Sequence, residues 1–490
     1  MRENIEKNVL ITLQALLIII SSYYILVFLF ISIQRVGYPY ELEMMEGGML
    51  ENAIRLNEGK PLYTEPTLDY IPFIYPPMYS FISVFSIKIF GENFFSLRLI
   101  SLTSIILTFL IIFLFVRKET GNTIFALGSA GLFAGFYQIT AFWFDLARVD
   151  SLFLLFIILS LYVLRFNDKI YGLILSAIFA IFAFLTKQST LMILLPISIY
   201  LILNYKFKSL YFILTFAFGI LLTTIIFNYY TNGWYSFWVF ELPSSHEWNF
   251  KYLLSFWSYD VFKHSSLIFI MSLLWIILLS KEKEQRIVYF YMCLMIGVLI
   301  SAWLQRLHLG GYVNANIPFY AFFSIIFPLA LLFFDKKLKT LYHQNNLFSI
   351  IIYVIILSQL LTLNYNPSKA IPSEADRIAG DKIVKKIKEI EGNVYIPNHG
   401  YLCRYAGKKN FAHWVGYLDV MISKSEIKYK LENELKNKLE NKYFSAIIIN
   451  EDFSHYLIDE YYKKSENVFV EDAFFTISQK TRPQYIYIPK

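Results

Sequence analysis

Apolar positions in this chain come in long unbroken runs, not in the alternation of a sheet protein. From Val9 to Ile33 nearly every residue is aliphatic or aromatic. The run is longer than a signal-peptide core and no small-residue cleavage site follows, so it reads as a retained first span. A window of roughly 19 residues finds further apolar helices at Phe94–Val116, Asn122–Phe142, Ser151–Leu164, Ile170–Leu185, Thr190–Leu203, Leu210–Phe227, Leu267–Leu279, Ile287–Trp303, Ile317–Phe334 and Leu347–Leu363. That makes about eleven transmembrane helices, some shorter than the roughly 17 to 25 residues of a full crossing.

The polar breaks between these runs alternate in character. If the N-terminus is cytoplasmic, the inside loops hold Arg117 and Lys118, Arg165 and Lys169, Lys206 and Lys208, the run "KEKEQR", and Lys336, Lys337 and Lys339. All are basic, as the positive-inside rule requires. Loops 34–93, 143–150, 231–266 and 304–316 then share the outer face. Tyr75–Gly91 is about long enough for a span, but counting it would invert every later loop. It is expected as an amphipathic juxtamembrane helix that lies at the outer surface or dips back into the membrane.

After Asn364 the pattern changes. A helix is expected from Ser373, with Glu374 and Asp376 in its first turn, to Gly392. Strand-type runs follow at 393–397, 444–450 and 484–489, with the charged helical segment "KSEIKYKLENELKNKLENK" between the first two. The expected fold is an α-helical polytopic membrane unit over 1–364 and a small α/β domain over 365–490, extracytoplasmic because an odd number of spans precedes it.

Composition sharpens this. With 57% hydrophobic and only 17% charged residues among 490, the chain is too apolar for a soluble globular protein and reads as a multi-pass protein of the cell (plasma or inner) membrane. The net charge of +7 is largely topogenic and calls for no nucleic acid. Two cysteines, Cys293 and Cys403, far apart in the chain, exclude a disulfide framework and a thiolate metal site.

The chemistry gathers on the outer face. Glu41, Glu43, Glu46 and Glu51 follow the first span, and Asp145 and Asp150 lie in "FWFDLARVD". Glu51 and Glu58 fit the wet side of a surface helix ending at Gly59. Glu43 and Glu46, three residues apart among apolar neighbours, read either as pocket groups or as surface. Asp150 opens an apolar helix and serves either as its dipole partner or as a site carboxylate. Arg148 reads as its ion-pair partner or as a phosphate ligand. Lys187 in "LTKQS" could equally be snorkelling at a helix end. Arg306 and His308 lie in "LQRLHLGGYVNANIP". His246 and His264 read as bystanders. Trp234, Trp238, Trp248 and Trp257 read as an interfacial belt more readily than as a sugar platform. The span interiors hold almost no ionisable groups, whereas an ion-coupled transporter would place some near the midplane. Charges collected at one interface suit chemistry on a lipid headgroup.

The order of a first span, an acidic outer helix ending "RLNEGKPLY", the segment "YPPMYSFISVFSIKIFGENFFSLRL", the loop "ARVDSL" and "FLTKQS" resembles the polytopic lipid-linked-sugar glycosyltransferases of the GT-C fold. That broad family includes the protein O-mannosyltransferases and the lipid A aminoarabinose transferase. The resemblance implies a catalytic acid in the first outer loop. Matching Ala53, Gly59 and Tyr63 to the family pattern puts Glu46 on the second acid of its usual pair and Met45 on the first, so Glu46 is preferred over Glu43. Asp150 matches the second-loop aspartate, and Asp145 is a further candidate without a counterpart. The family's juxtamembrane helix matches Pro76–Gly91, with Tyr75–Pro76 where some members carry a basic residue. Phosphate binding would then fall to Arg148, Lys187, Arg306 and His308.

The activity so implied is inverting transfer of a sugar from a polyprenyl-phosphate donor to a hydroxyl of a lipid, glycan or protein acceptor on the outer face. A carboxylate acts as general base and cations receive the leaving phosphate. No cofactor is required by this scheme, although Glu46 and Asp150 would together suit Mg²⁺ or Mn²⁺. Two other classes share the span pattern. A polysaccharide ligase or polymerase on undecaprenyl-linked glycans would depend on outer-loop Arg and His, and a lipid-linked-sugar transporter would survive neutralisation of Glu46 and Asp150.

Overall fold

The computed structural model describes residues 2–282, 285–342, 345–451, 453–468, 474–477 and 481–490. Each apolar run coincides with a helix. The first part of the bundle comprises α1 (Arg2–Val36), α2 (Glu46–Asn57), α3 (Met78–Phe90), α4 (Phe94–Thr120), α5 (Thr123–Gly135), α6 (Asp150–Phe166), α7 (Ile170–Thr186), α8 (Thr190–Tyr205) and α9 (Ser209–Thr231). Further apolar helices run over Lys263–Leu279, Gln285–Leu307, Ile317–Tyr342 and Asn345–Leu361. Among the described residues, six helical stretches are long and apolar enough to cross a membrane: Glu3–Val36, Phe94–Thr120, Thr190–Thr231, Tyr252–Leu279, Gln285–Leu307 and Val313–Tyr342. The third of these is α8 and α9, separated by a tight turn at Lys206–Lys208 with Lys206 in the left-handed region. Lipid-type side chains such as Leu214, Phe218, Leu221 and Ile225 remain exposed on α9, the surface of a multi-pass membrane protein.

The basic connections collect at one end of the bundle. Arg165 donates to both oxygens of Glu119 (2.5 and 3.0 Å), the Tyr291 hydroxyl donates to the same carboxylate (2.5 Å), Arg286 meets Tyr205, and Lys337 pairs with Glu282 at 2.8 Å. The other connections meet at the opposite end, where Trp238 Nε1 donates to the Thr64 carbonyl (2.8 Å) and Gln188 to those of Ile74 (2.5 Å) and Val239 (3.1 Å).

Three expectations are revised at that end. The helix begun at Asn122 stops at Gly135, not Phe142, because the chain is needed elsewhere. Ala141 and Phe142 take left-handed backbone angles (φ 56° and 58°), the chain doubles back, and the Phe142 carbonyl accepts from Arg35 at 2.5 Å. Segment 231–266 is mostly helical, over Trp234–Ser245 and from Tyr252 onward with π-helical turns in both pieces. Trp238 is fully buried against the outer-loop residues, so a belt does not account for it. Finally, α2 is no surface helix: Glu46, Gly47, Met49, Leu50, Asn52, Ala53 and Ile54 are buried, because the C-terminal part lies over it. The juxtamembrane reading of 75–91 agrees with α3, which leaves Phe81, Phe85, Ile89 and Phe90 exposed along one side.

The C-terminal part builds a four-stranded sheet from β1 (Asn393–Tyr395), β2 (Phe444–Asn450), β3 (Tyr462–Asn467) and β4 (Pro483–Pro489), in the order β1-β2-β4-β3. β1 and β2 run parallel and the other pairs antiparallel. Helix Glu374–Glu389 starts where expected, on a capping box in which the Ser373 and Asp376 side chains each bond the other's backbone. The charged segment forms Ile427–Glu440, which buries Leu431, Leu435 and Leu439. β3, "YKKSEN", has no apolar alternation to announce it. It is an edge strand whose lysines and glutamate discourage further pairing.

Candidate active site

The loop Gly37–Met45 joins α1 to α2 and carries three buried carboxylates, Glu41, Glu43 and Glu46 at its end. Their oxygens have different fates. Glu46 is fully buried and receives four donors: Arg98 Nε (3.0 Å) and the Ala147 amide (2.6 Å) on Oε1, Arg98 Nη2 (2.6 Å) and the Leu42 amide (2.7 Å) on Oε2. Arg98, in the second turn of α4, also donates to the carbonyls of Arg35, Tyr38 and Tyr40. One ion pair thus ties α1, the first loop, α4 and the 143–150 segment together. A buried charge pair is tolerated only when its remaining hydrogen-bonding capacity is filled in this way.

Glu43 is different. Its Oε2 accepts from Arg148 Nη1 (2.7 Å) and from the Met45 amide (3.2 Å), while Oε1 accepts no hydrogen bond among the described residues. Burial raises its carboxyl above the ordinary range, against the opposing pull of Arg148. Arg148 in turn donates through Nη2 to the Tyr75 hydroxyl (3.0 Å), lies over the Trp143 ring (5.1 Å), and keeps its buried Nε without a partner. A carboxylate oxygen and a guanidinium N–H of one buried ion pair are thus both left without a partner among the described residues.

The 143–150 segment converges on this loop as expected, though not through its aspartates. Asp145 is spent on Arg35, which donates to Oδ2 at 2.7 Å and also contacts Oδ1, and on the Tyr137 hydroxyl (2.5 Å). That cluster locks the end of α1. Asp150 accepts from Lys187 Nζ (2.7 Å) and Asn314 Nδ2 (3.1 Å) on Oδ1, and from Trp143 Nε1 (2.9 Å) on Oδ2. Trp143 therefore stands between the Glu43–Arg148 pair and the Asp150–Lys187 pair.

Arg306 and His308 sit in a second cluster. Arg306 pairs with Asp260 (3.1 Å), donates to the Gly311 carbonyl (2.7 Å) and covers the Tyr252 ring. The His308 ring nitrogens face the carbonyls of Leu309 and Pro243, and the ring packs on that of His246 at 5.0 Å. The short turn Val313–Asn316 links the two clusters, since Asn314 faces Asp150 and Asn316 donates to Asp260 (2.9 Å). Glu46 and Asp150, the pair expected to suit a divalent ion, both give their oxygens to N–H donors. Among the described residues no group of three or more His, Cys, Asp or Glu side chains is placed to hold a metal.

The C-terminal part closes the site from above. Glu41 Oε2 meets His399 Nδ1 at 2.6 Å, its Oε1 accepts from the Gly47 amide (2.8 Å), and its own amide donates to the Tyr401 hydroxyl (3.2 Å). Burial raises Glu41 well above the carboxylate range and lowers His399 to about 3, so both favour their neutral forms. Gly47 is required here, because a Cβ would lie 2.3 Å from Glu41 Oε1 and 2.7 Å from Tyr401 Cδ1. Glu51, expected in water, is paired with Arg404 (2.6 Å). Tyr75, Arg98, Asp260, Asn314, His399 and His413 are the site residues that reading the sequence missed. Arg98 had a signal, as an arginine near the start of an apolar run must find a partner. The two histidines had none.

The sequence profile of the family described as dolichyl-phosphate-mannose-protein mannosyltransferase matches residues 75–229, the stretch holding Tyr75, α3, Arg98, Arg148, Asp150 and Lys187. No curated protein matches the chain. Among solved structures, ArnT from Cupriavidus metallidurans in the apo state is 11% identical with a TM-score of 0.60, over 95% of this chain and 97% of that one. The same protein bound to undecaprenyl phosphate is 9% identical with a TM-score of 0.57, over the same shares of each chain, 95% and 97%. The archaeal oligosaccharyltransferase AglB from Archaeoglobus fulgidus, in complex with an inhibitory peptide and a dolichol-phosphate, is 12% identical with a TM-score of 0.50 over 87% of this chain and 69% of that one. At such identities the likeness is one of architecture. The chain has the polytopic GT-C fold of membrane glycosyltransferases, followed by a small C-terminal sheet.

Proposed function

We propose that this protein is an inverting glycosyltransferase that moves a sugar from a polyprenyl-phosphate donor to a hydroxyl of a lipid, glycan or protein acceptor, on the outer face of the cell membrane. One observation carries the reading: Glu43 is a buried carboxylate with one oxygen anchored and the other free, beside a cation with an unspent donor. A general base needs an oxygen that can approach the acceptor hydroxyl and a proton affinity lifted toward working pH, and burial supplies the second. As its proton passes to Oε1, the acceptor hydroxyl oxygen attacks C1 from the side opposite the phosphate while the C1–O bond to the polyprenyl phosphate breaks, which inverts the anomeric carbon. The leaving polyprenyl phosphate is a stable anion that asks for positive charge, not for an acid. Arg148 offers its free Nε, the Tyr75 hydroxyl lies beside it in the Tyr75–Pro76 region where some members of the resembling family carry a basic residue, and Lys187 supplies a second cation across Trp143.

Glu46 was the first candidate for the base. All its oxygens are engaged by Arg98 and two backbone amides, so we assign it to holding the loop and give the base to Glu43. Asp150 holds Lys187, Asn314 and Trp143 in place, and Asp145 braces Arg35. Arg306 and His308 then act by shaping the Val313–Asn316 turn, not as phosphate ligands.

The test incubates purified protein with a panel of polyprenyl-phosphate sugars and measures released polyprenyl phosphate. Turnover by the wild type and its loss in Glu43→Gln support the reading. Undiminished turnover in Glu43→Gln removes the base assignment, and sugar-lipid translocation that persists in Glu43→Gln and Asp150→Asn points to a transporter instead.

A further inference from the structure

The peptide unit joining Met44 to Met45 has both of its polar groups committed. Its N–H donates to Glu43 Oε2 (3.2 Å), and its C=O, that of Met44, accepts from His413 Nε2 at 2.9 Å. Because a peptide is planar and its C=O and N–H point in opposite directions, fixing one aims the other. His413 is well suited to fix it. The Val415 amide donates to His413 Nδ1 (3.1 Å), so Nδ1 carries the lone pair and Nε2 carries the hydrogen, which it shares with the Asn398 carbonyl (3.0 Å). Burial lowers the ring to about 4, which keeps this neutral tautomer in place at working pH. Phe73 meets the imidazole edge-on, its centroid 5.3 Å away. Phe73 itself rests on Gly48, where a Cβ would come within 2.4 Å of its Cζ. On the other side of the loop, His399 and Tyr401 hold Glu41.

We propose that His413 is a positioning residue for Glu43, acting through the Met44–Met45 peptide, so that the C-terminal domain completes the active site of the membrane-embedded part. This rests on Glu43 being the base. Without the His413 donor, the Met44 carbonyl becomes a half-buried acceptor with no partner among the described residues. The peptide is then free to rotate, and rotation brings a carbonyl oxygen toward a carboxylate. A reacting group displaced by about 1 Å loses on the order of a hundredfold in rate.

The full-length protein carrying His413→Leu, His413→Gln, Glu43→Gln, and the first and third together, would be compared in the polyprenyl-phosphate release assay and by hydrogen–deuterium exchange over residues 43–46. Glutamine can place an N–H near the position of Nε2, so it serves as the conservative replacement. The expected result is a loss of about thirty- to a hundredfold in kcat for His413→Leu, with the donor KM within about twofold, and recovery to within about fivefold in His413→Gln. The leucine change should cost nothing further in residual turnover once Glu43 is glutamine, because coupled residues are non-additive. Exchange at the Met45 amide should accelerate in His413→Leu and stay slow in His413→Gln. Wild-type kcat in His413→Leu, fully multiplicative losses in the double variant, or unchanged Met45 exchange would each overturn the inference. If the wild type turns over no donor, the transferase reading fails, while the exchange comparison still decides whether His413 holds the Met45 amide.

Discussion

Glu46→Gln replaces one oxygen by an NH₂ group and removes the charge at the most densely bonded carboxylate of the site. Four N–H groups now point at its oxygens: two from Arg98, one from Leu42 and one from Ala147. Glutamine can accept only the two that face its carbonyl oxygen. The other two meet an NH₂ group, and each stranded donor costs about 1–3 kcal/mol. The Arg98 charge, itself fully buried, also loses its counter-ion. Removing one partner of a buried pair costs about 3–5 kcal/mol, so the two routes to the figure agree. The expected outcome is a marked fall in the apparent unfolding temperature of detergent-purified protein, with turnover falling only as far as folded protein is lost. Glu43→Gln should cost less in folding, because a glutamine carbonyl oxygen can keep both donors of Oε2, its NH₂ falls where Oε1 accepts nothing among the described residues, and Arg148 keeps its bond to Tyr75, so only the counter-ion of the Arg148 charge is lost. It should melt closer to wild type than Glu46→Gln does and lose turnover outright. Thermal shift and polyprenyl-phosphate release on the same preparations decide the matter. A Glu46→Gln protein that melts like wild type but has no activity, beside an active Glu43→Gln, would refute the division of labour and restore Glu46 as the base.

Four further outcomes follow from the same contacts. Because burial raises the Glu43 carboxyl, the acid limb of the kcat/KM profile should lie above the ordinary glutamate range of about 4.3 and vanish in Glu43→Gln. His399 and His413 have folded pKa values of about 3 and about 4, below their unfolded value, so the stability they contribute is present above about pH 6.5 and drains away as the pH falls toward those values. Hydrogen exchange over 393–417 should therefore quicken between about pH 6.5 and 4, and His413→Gln should flatten that dependence. Asn314→Ala removes one of three donors to Asp150. It should lower turnover by about tenfold without a large shift in melting, and Lys187→Met should lower it further because it also strands the Asp150 charge. Gly47→Ala forces a methyl against Glu41 and Tyr401 and should cost about 1–3 kcal/mol by overpacking, seen as faster proteolysis between the bundle and the C-terminal domain.

What could be read from the sequence follows from what burial requires locally. Lipid demands long apolar runs, so most of the helices, the basic connections and the surface helix α3 were legible, whereas the early stop at Gly135 and the helical turns of 234–266 were not. The meeting of the first loop with the 143–150 segment was legible as well, because two acidic stretches beside neighbouring helices have little else to approach. The choice between Glu43 and Glu46 was not. The two residues look alike along the chain, and they are told apart by Arg98, 52 positions from Glu46, and by Arg148, 105 from Glu43. Lys187 and Asp150 were both nominated, but nothing in either neighbourhood announced that they would pair. His413 lies 369 positions from Met44, and no periodicity reaches that far. The C-terminal sheet was visible in its apolar strands, while β3 escaped because an edge strand covered with lysine looks like a loop.

The bracket that residues 399, 401 and 413 form around residues 41–45 also sets a timetable for the newly made chain. The loop bearing Glu41, Glu43 and Glu46 leaves the ribosome early, yet the partners of Glu41 and of the Met44 carbonyl lie more than 350 residues later. Until then the helices can insert and pack while that loop stays unlocked. The chain has thus made all its bundle helices before residues 399, 401 and 413 exist to bracket the loop, and on the proposed roles of Glu43 and His413 it is the last quarter that completes the site.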